Sequence, residues 1–507
     1  RAQPPVPPPD RLSRAPTIDL QPASLEDHLA RFPLSRTQWL AWALAAAGKF
    51  LEGLIVFIGG LVLPLLGEPM ALGPLQRGAV AAASLFGILV GSLAFGGLAD
   101  RWGRRPVFVA EMGLLLLGLL LAGLSPDARW LIAALLIVGL ALGADYPTAH
   151  LVIAESCPAP QRGRLVLGAF GFQAIGVVSG TALVAVVLQF APQHDAWRLF
   201  YLLPTLPVLL LTVLRLQLPE SSHWLLSRGQ QAAAEAALER LLGRSGLRLL
   251  PVSSSSGVQQ AGSAQVLAAA DPPTAVPWPE ALRQLLSPRL RRATTLAAVP
   301  WFLQDLGTYG IGIFLPQLLA GVLGGVSGTV AAGGSAGAGS ADPILADLLS
   351  ARASLLIDLA LLAGFAVAIA GTDRWGRIPL QIAGFLGCAA GLLLAAAGVG
   401  AESRAPQLPL LVVGLLLFQF MTNLGPNAQT YLLAGELFPT PVRGLASGLA
   451  AAAGKVAAVV TALLVPLVLQ RWSAGPLLVG LAVTSLLGAL ITWLVRIETN
   501  GAVLEDR

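Results

Sequence analysis

The sequence predicts an all-α membrane protein with twelve transmembrane helices in two pseudo-symmetric six-helix bundles. Three observations carry this prediction. The 507 residues are 55% hydrophobic and only 12% charged, about half the charged share of a soluble domain. About twelve apolar runs are long enough to cross lipid, where an open sheet leaves its backbone unsatisfied. Two separate motifs recur in the same order in the two halves of the chain.

The apolar runs divide into two groups of six. They cover 38–66, 78–98, 106–124, 130–152, 165–189 and 198–217, and then 293–320, 351–371, 378–400, 408–433, 444–470 and 474–495. We therefore expect a disordered cytoplasmic tail at 1–37, a first bundle at 38–217, a cytoplasmic central loop at 218–292, a second bundle at 293–496 and a cytoplasmic tail at 497–507. Within the central loop, residues 230–242 are rich in Ala, Glu and Leu and predict a helix. The Gly-, Ala- and Ser-rich residues 321–340 predict a flexible loop.

One motif follows the second run and is repeated after the eighth. It reads Asp100-Arg-Trp-Gly-Arg-Arg-Pro106 and then Asp373-Arg-Trp-Gly-Arg-Ile-Pro379. A second motif, a glutamate and an arginine with six residues between them, follows the fourth and the tenth runs. The repetition predicts a duplicated fold with a substrate site between the halves.

The charged side chains of these motifs predict a cytoplasmic gate. Such groups form ion pairs across helix ends when that side is shut and separate when it opens, so they bias a two-state equilibrium. Anchoring of arginines to anionic headgroups is the alternative, but it explains poorly why the same pattern occurs twice. The predicted gate residues are Asp100, Arg101, Arg104, Arg105, Glu155, Arg162, Asp373, Arg374, Arg377, Glu436 and Arg443.

The distribution of basic residues predicts the orientation. The motif loops, the central loop and the first tail hold most of the arginines, which places them and both termini in the cytoplasm. The net charge of +5 thus reflects orientation, and we expect no nucleic-acid partner. Lys49 and Lys455 are the only lysines, and this preference for arginine indicates a GC-rich bacterial genome. We therefore expect the protein in the plasma membrane of a bacterium, which is its inner membrane.

Ionisable residues inside the apolar runs are the main site candidates, because each costs roughly 2.5 to 3.5 kcal/mol to insert at the membrane centre. They are Glu52, Glu111, Asp145, Asp305, Asp358 and Lys455. The spacing of four places Trp301, Asp305 and Tyr309 on one helix face, which must point into the bundle. A buried Lys455 needs an anion, and a permanent pair with Asp305 or another carboxylate is the alternative to a substrate site. Tyr146 and Gln173 can equally be an interface aromatic and an interhelical contact.

Two stretches resemble the phosphate:proton symporters of fungi and plants, a family of the major facilitator superfamily. Gly143-Ala-Asp-Tyr-Pro through Glu155 is similar to the fourth-span signature of that family. Asn423-Leu-Gly-Pro-Asn427 through Glu436-Leu-Phe-Pro, together with Ala453-Gly-Lys455, is similar to its tenth and eleventh spans. The resemblance covers most of the membrane part and implies the major facilitator fold. It also implies a phosphate site made of Tyr146, Gln173, Trp301, Asp305, Tyr309, Asn427 and Lys455.

The chemistry of these residue types fits phosphate. Lys455 supplies charge, the neutral donors surround a tetrahedral anion, and the Asp305 carboxylate accepts a hydrogen bond from a phosphate OH that sulfate lacks. An anion entering a negative cell interior climbs about 2.3 kcal/mol per charge per 100 mV, so cations must accompany it. We expect protons carried by Asp305, Asp145 and Glu52, of which Glu52 stands where the family usually has Asp.

The sequence therefore predicts a proton-coupled phosphate symporter that works by alternating access. We expect it to be no enzyme, to need no cofactor besides the proton gradient, and to function as a monomer in the lipid bilayer with phosphate and protons as its ligands. Two alternatives stay open: a proton-coupled carrier of an organic anion or sugar with the same fold, and a non-transporting nutrient receptor.

Overall fold

The structure, a computed structural model, describes residues 24–67, 70, 72–191, 193–250, 278–331, 343–399, 407–438 and 440–499. The helices up to the central loop are α1 (Leu25–Arg31), α2 (Arg36–Gly67), α3 (Pro74–Trp102), α4 (Arg104–Gly123), α5 (Ala128–Ser156), α6 (Ala159–Phe190), α7 (Trp197–Leu202) and α8 (Thr205–Arg215). The central loop holds α9 (Ser222–Ser227), α10 (Gln231–Leu242) and α11 (Trp278–Leu285). The second half holds α12 (Arg291–Ala331), α13 (Pro343–Trp375), α14 (Arg377–Val399), α15 (Leu408–Leu424), α16 (Pro426–Glu436), α17 (Thr440–Arg471) and α18 (Ala474–Leu494).

The described helices confirm an all-α membrane architecture. Eleven helical stretches are apolar and long enough to cross a membrane. The remaining span of the predicted twelve is α12, which is 41 residues long and begins the second half as α2 begins the first. The predicted helix in the central loop is confirmed as α10. The ends of the chain at 1–23 and 500–507, and the loop segment 251–277, lie outside the described residues.

The structure corrects two predicted segments and adds detail to two confirmed spans. The tail predicted to be disordered at 1–37 contains α1, which packs in one hydrophobic cluster with α10. The loop predicted at 321–340 begins too early, because α12 continues to Ala331. Residues 321–331 contain no proline to stop the helix, and each added residue gains a helical hydrogen bond. Residues 332–340 lie outside the described part of the chain. The sixth and tenth runs are each two helices, broken at Pro204 and at Gly425-Pro426, where proline removes an N–H from the helical ladder.

The two halves meet through aromatic contacts at the centre of the bundle. The ring of Phe57 on α2 stacks on that of Tyr309 on α12, with centroids 5.8 Å apart. Phe170 on α6 stacks on Tyr431 on α16 at 4.3 Å. Helices α3 and α6 of the first half also pack against α17 and α13 of the second. A cavity lies between the halves beside these contacts.

Candidate functional site

A small cavity lies between the two halves and takes side chains from both. All seven residues that the resemblance implied for a phosphate site line it: Tyr146, Gln173, Trp301, Asp305, Tyr309, Asn427 and Lys455. The face predicted for Trp301, Asp305 and Tyr309 thus points into the bundle. Their role in binding substrate stays a prediction.

Lys455 connects the two halves at this cavity. Its Nζ donates a hydrogen bond of 2.5 Å to the Tyr309 hydroxyl. The same nitrogen lies 3.9 Å from Glu52 Oε1 of the first half and 4.0 Å from Asp305 Oδ2 of the second. The lysine side chain is 4% exposed, so its charge is shared with two carboxyl groups at longer than hydrogen-bond distance.

Glu52 is the most connected carboxyl of the first half. It accepts hydrogen bonds from the Tyr146 hydroxyl at 2.5 Å and from Gln173 Nε2 at 3.2 Å. Lys49, one turn earlier in α2, lies 3.3 Å from Glu52 Oε2. The ammonium of Lys49 also sits 3.3 Å from the centre of the Tyr146 ring, a cation–π contact. Glu52 therefore lies between the only two lysines of the chain.

Asp305 is held close to α17 by a glycine. A Cβ at Gly454 would lie 2.8 Å from Asp305 Oδ2 and 2.9 Å from Trp301 Nε1, so a larger residue forces these side chains to move. Among the described residues, Asp305 Oδ2 has no hydrogen-bond donor. It is therefore an acceptor that a ligand in the cavity can use.

Amide side chains form the wall of the cavity near the break between α15 and α16. Asn427 Nδ2 donates to Asn423 Oδ1 at 2.9 Å, and Gln304 Nε2 donates to Asn427 Oδ1 at 3.4 Å. Gln304 also donates to Thr308 at 2.7 Å. Asn427 is the second residue of α16, so the break at Gly425-Pro426 sets where this lining residue lies.

Asp145 belongs to a buried ion network beside the cavity. Arg215 on α8 donates to Asp145 Oδ1 at 2.9 Å and pairs with Glu111, and the Thr148 hydroxyl lies 2.7 Å from Glu111 Oε2 and 2.8 Å from the carbonyl oxygen of Ala144. Lys49 Nζ lies 3.7 Å from Asp145 Oδ2 and joins this network to Glu52. The proton-coupling role predicted for Asp145 remains untested, but its strongest partner is Arg215.

Sequence reasoning missed Arg215 and gave no role to Lys49. Arg215 lies near the end of an apolar run, where an arginine normally reaches the headgroups, yet its side chain is fully buried. The signal for Lys49 was present, since it lies inside the first apolar run and stands three residues before Glu52. Only the packing of α8 and α5 against α2 reveals that these two cations share a carboxylate.

The charged motifs form one cluster in each half, at the end of the bundle that carries Arg104 and Arg377, here called the motif end. Arg104 pairs with Glu155 at 3.1 Å, and Arg377 pairs with Glu436 at 3.2 Å. Asp373 also pairs with Arg377, at 3.1 Å. Each pair lies within its own half. The gate role stays a prediction.

A second glutamate in each half completes the cluster and was not predicted. Glu220 Oε1 accepts from the backbone N–H of Arg104 at 2.9 Å and of Arg105 at 3.1 Å. Glu498 accepts from the N–H of Arg377 and of Ile378, both at 3.0 Å. Carboxylates favour such helix starts because the first N–H groups there lack helical partners.

The structure describes the side chains of only some of the remaining gate candidates. Arg105 donates to the Leu216 carbonyl at 2.6 Å. Arg101 and Arg374 are exposed. The side chains of Asp100, Arg162 and Arg443 lie outside the described residues.

Known proteins match this chain over nearly its whole length. A family model described as "Sugar (and other) transporter" matches residues 66–337 and 349–506. The inner membrane metabolite transport protein YgcS of Escherichia coli K12 is 28% identical over 96% of both chains. The niacin transporter NiaP of Acinetobacter baylyi is 26% identical over 87% of this chain and 89% of its own. The probable inorganic phosphate transporter 1-3 of Oryza sativa subsp. japonica is 28% identical over 93% of this chain and 95% of its own.

Solved structures share the fold. The xylose transporter XylE from E. coli, in a partially occluded inward-open conformation, superposes with a TM-score of 0.69 at 19% identity. The superposition covers 92% of this chain and 100% of that one. At this identity the likeness concerns the fold alone.

Proposed function

The chain belongs to the sugar (and other) transporter family of the major facilitator superfamily, and from that premise we propose that it carries inorganic phosphate together with protons. It is a multi-pass secondary transporter, as the family is, and no enzyme. The proposal concerns its cargo, its coupling ion and the residues that bind them.

The observation that carries the proposal is the position of Lys455 between two carboxyls from opposite halves. Glu52 and Asp305 lie on either side of the ammonium, at 3.9 and 4.0 Å. With both carboxyls ionised, Lys455 is occupied by them, and with Lys49 beside Glu52 the four side chains have no net charge. Protonation of one carboxyl makes the group positive and favours an anion beside Lys455, which couples anion binding to proton binding.

The neutral groups around Lys455 fit a small oxyanion. Tyr146, Gln173, Trp301 and Asn427 bring hydroxyl, amide and indole N–H groups to the cavity wall. Asp305 Oδ2 offers an unused acceptor, which suits the OH of hydrogen phosphate. While the proton is on Glu52 and Asp305 is ionised, a fully deprotonated oxyanion of the same shape presents only acceptors to the Asp305 carboxylate and is disfavoured.

We propose the following cycle. A proton neutralises Asp305 or Glu52, Lys455 becomes free to bind phosphate, and the halves rock about the cavity. On the other side the proton leaves, the carboxylate returns to Lys455, and phosphate is displaced. The same two carboxyls thus compete with the cargo for one ammonium, which links the two fluxes without any further ligand.

The membrane, orientation and assembly belong to the same proposal. We place the motif end in the cytoplasm of a bacterial cell, with the chain in the inner membrane, because Arg104, Arg105, Arg374 and Arg377 lie at that end and positive residues are retained inside. The cavity is built by the two halves of one chain, so a monomer is sufficient for transport.

A small organic anion is the second candidate, and one observation favours it. The rings of Phe57, Tyr146, Phe170, Trp301 and Tyr309 all line the cavity, and such a wall also suits a flat aromatic acid. One relative of similar identity is a niacin transporter. A neutral sugar is less suited, because it gives Lys455 no counter-charge.

Counterflow separates these candidates. Proteoliposomes loaded with unlabelled phosphate should accumulate labelled phosphate, and excess nicotinate, xylose or sulfate outside should not compete. Competition by nicotinate, with no effect of phosphate, supports the organic-anion carrier. Binding of phosphate without any counterflow supports the non-transporting receptor.

A further inference from the structure

Asp358 is a buried carboxyl that the proposed cycle does not use. It lies on α13, is 4% exposed, and contacts Thr181 on α6 and Gln419 on α15. The contact with Thr181 joins the first half to the second. In the described part of the chain, five carboxyl side chains are buried, and Asp358 is the one without a basic partner. Glu52 and Asp145 lie near Lys49, Glu111 pairs with Arg215, and Asp305 lies near Lys455.

Only a protonated Asp358 lets the Thr181 hydroxyl keep both of its oxygen contacts as hydrogen bonds. Thr181 Oγ1 lies 2.9 Å from Asp358 Oδ2 and 3.1 Å from the carbonyl oxygen of Val177, one turn earlier in α6. A threonine hydroxyl has a single hydrogen, and within a helix it commonly donates that hydrogen to the carbonyl four residues back. Once Thr181 donates to Val177, its contact with Asp358 is a hydrogen bond only if the carboxyl carries the proton.

The other oxygen of Asp358 agrees with this assignment. Gln419 Nε2 donates to Asp358 Oδ1 at 3.0 Å, which suits the carbonyl oxygen of a carboxylic acid. An ionised Asp358 would place its second oxygen against the lone pairs of Thr181, or break the bond from Thr181 to Val177. It would also be a buried charge with no cation, which is costly at membrane depth.

We propose that Asp358 is a proton-binding site that joins the two halves, and that it is protonated in this conformation. When the O–H bond breaks, the proton passes to water in the cavity that Gln419 lines, and a carboxylate remains. The carboxylate favours a conformation in which α6 and α13 separate and water reaches it. The role of this proton in driving transport rests on the proposed function, whereas the protonation itself does not.

The elements packed against α13 bring few other charges to this site. Helix α15 contains no acidic or basic residue, and the only ones on α6 are Arg162 and Arg164 in its first turns. The titratable or charged groups on the other neighbours are Lys49 and Glu52 on α2, Asp305 and Tyr309 on α12, Cys388 and Arg377 on α14, and the terminal arginines Arg36, Arg291 and Arg292. The other charged residues of α13 itself are Asp347, Arg352, Asp373 and Arg374, of which Arg352 donates to Gln189 and Asp373 pairs with Arg377. Glu52 and Asp305 share the two lysines, so within the described residues no cation pairs with Asp358.

The variant Asp358→Asn tests the site without removing its contacts. The asparagine amide can donate to Thr181 and its oxygen can accept from Gln419, as the protonated acid does. Asp195→Asn is the matched control, because it makes the same change at a side chain that is 79% exposed. Infrared spectra of the full chain in lipid nanodiscs, without cargo, report protonated carboxyl groups through a C=O band that shifts in heavy water.

At neutral pH the wild type should show a component of this band that Asp358→Asn lacks and Asp195→Asn keeps. Thr181→Val, which removes the acceptor, should shift the same component in frequency. Identical spectra of wild type and Asp358→Asn across the whole pH range overturn the proposal, and so does an unshifted component in Thr181→Val.

A transport assay tests the coupling separately. In phosphate-loaded proteoliposomes, Asp358→Asn should keep phosphate exchange within about twofold and lose about tenfold in uptake driven by a proton gradient. Unchanged proton-driven uptake overturns the coupling role. If no phosphate moves in wild type while the infrared result holds, the proposed cargo is wrong and the proton site stands.

Discussion

The motif end is built twice from the same parts, whereas the cavity is not. In each half an arginine pairs with a glutamate from a neighbouring helix, and a second glutamate binds the N–H groups at the start of the arginine's helix. The corresponding residues are Arg104, Glu155 and Glu220 in the first half and Arg377, Glu436 and Glu498 in the second. Both sets also follow a glycine with positive φ, 105° at Gly103 and 87° at Gly376.

At the cavity the fifth membrane helices of the two halves differ in charge. The fifth membrane helix of the first half, α6, contributes the neutral amide of Gln173, while that of the second half, α17, contributes the ammonium of Lys455. A rocking motion needs matching ion pairs at the motif end of both halves. One anion bound between the halves needs only a single cation. We therefore propose that the repeated residues serve movement and the unrepeated residues serve the choice of cargo.

Removal of the unrepeated cation should give the largest effect. Lys455→Ala should reduce phosphate uptake by about a hundredfold or more, because removing one partner of a buried charge group costs about 3 to 5 kcal/mol. Val456→Ala, at the next residue and with a side chain 42% exposed, is the control for insertion and expression. Uptake by Lys455→Ala near the wild-type rate would mean that the Lys455 ammonium, present in only one half, does not bind the cargo.

Crowding of the cavity wall should give the next largest effect. In Gly454→Ala the new methyl lies under 3 Å from Asp305 and Trp301, so uptake should fall about tenfold as these side chains move. Gly448→Ala, in the same helix, meets nothing within 4 Å and should retain uptake. Both variants should reach the membrane in equal amounts on quantitative blots. Equal uptake by the two variants would show that transport does not need Asp305 and Trp301 to pack closely against Gly454.

Matched changes at the motif end should have moderate and similar effects. Arg104→Ala and Arg377→Ala each remove a charge-assisted pair, at a cost of about 1.5 to 3 kcal/mol. Both should lower the apparent unfolding temperature in detergent and the exchange rate by comparable amounts. A large loss from one arginine and none from the other would break the claimed equivalence of the two clusters.

The two clusters at the motif end differ in the hydrogen bond made by the hydroxyl residue that follows the second glutamate. Thr499 Oγ1 donates to Glu436 at 2.5 Å, while the serine at the corresponding place in the first half, Ser221, accepts from the N–H of Trp224. Thr499→Val should cost about 0.5 to 1.5 kcal/mol, measured as a small drop in unfolding temperature. Ser221→Ala should leave the Arg104 pair intact, so its exchange rate should match the wild type.

Much of this architecture follows from the sequence. The apolar runs predicted the spans because lipid demands them, and the spacing of Trp301, Asp305 and Tyr309 predicted the face that lines the cavity. The breaks at Pro204 and Pro426 were missed because a run of apolar residues hides a local loss of one N–H. The extension of α12 to Ala331 was missed because Gly- and Ala-rich composition fits a loop or a helix.

The partners of the charges could not be predicted, because they depend on distances between helices far apart in sequence. Glu52 is 403 residues from Lys455 along the chain and 3.9 Å from it in space. Nothing local in the sequence links Arg215 to Asp145, or Asp358 to Thr181. A residue type and its depth in the membrane indicate that a partner exists, and only the packing identifies it.

Radiolabelled phosphate uptake into proteoliposomes, with and without an inward proton gradient, tests the central claim most directly. The claim is that Lys455 and Asp305 jointly hold a hydrogen phosphate whose entry requires a proton. Uptake should rise with the gradient, collapse in Asp305→Asn while exchange persists, and vanish in Lys455→Ala. Phosphate uptake that ignores the gradient, or that survives in Lys455→Ala, would contradict it.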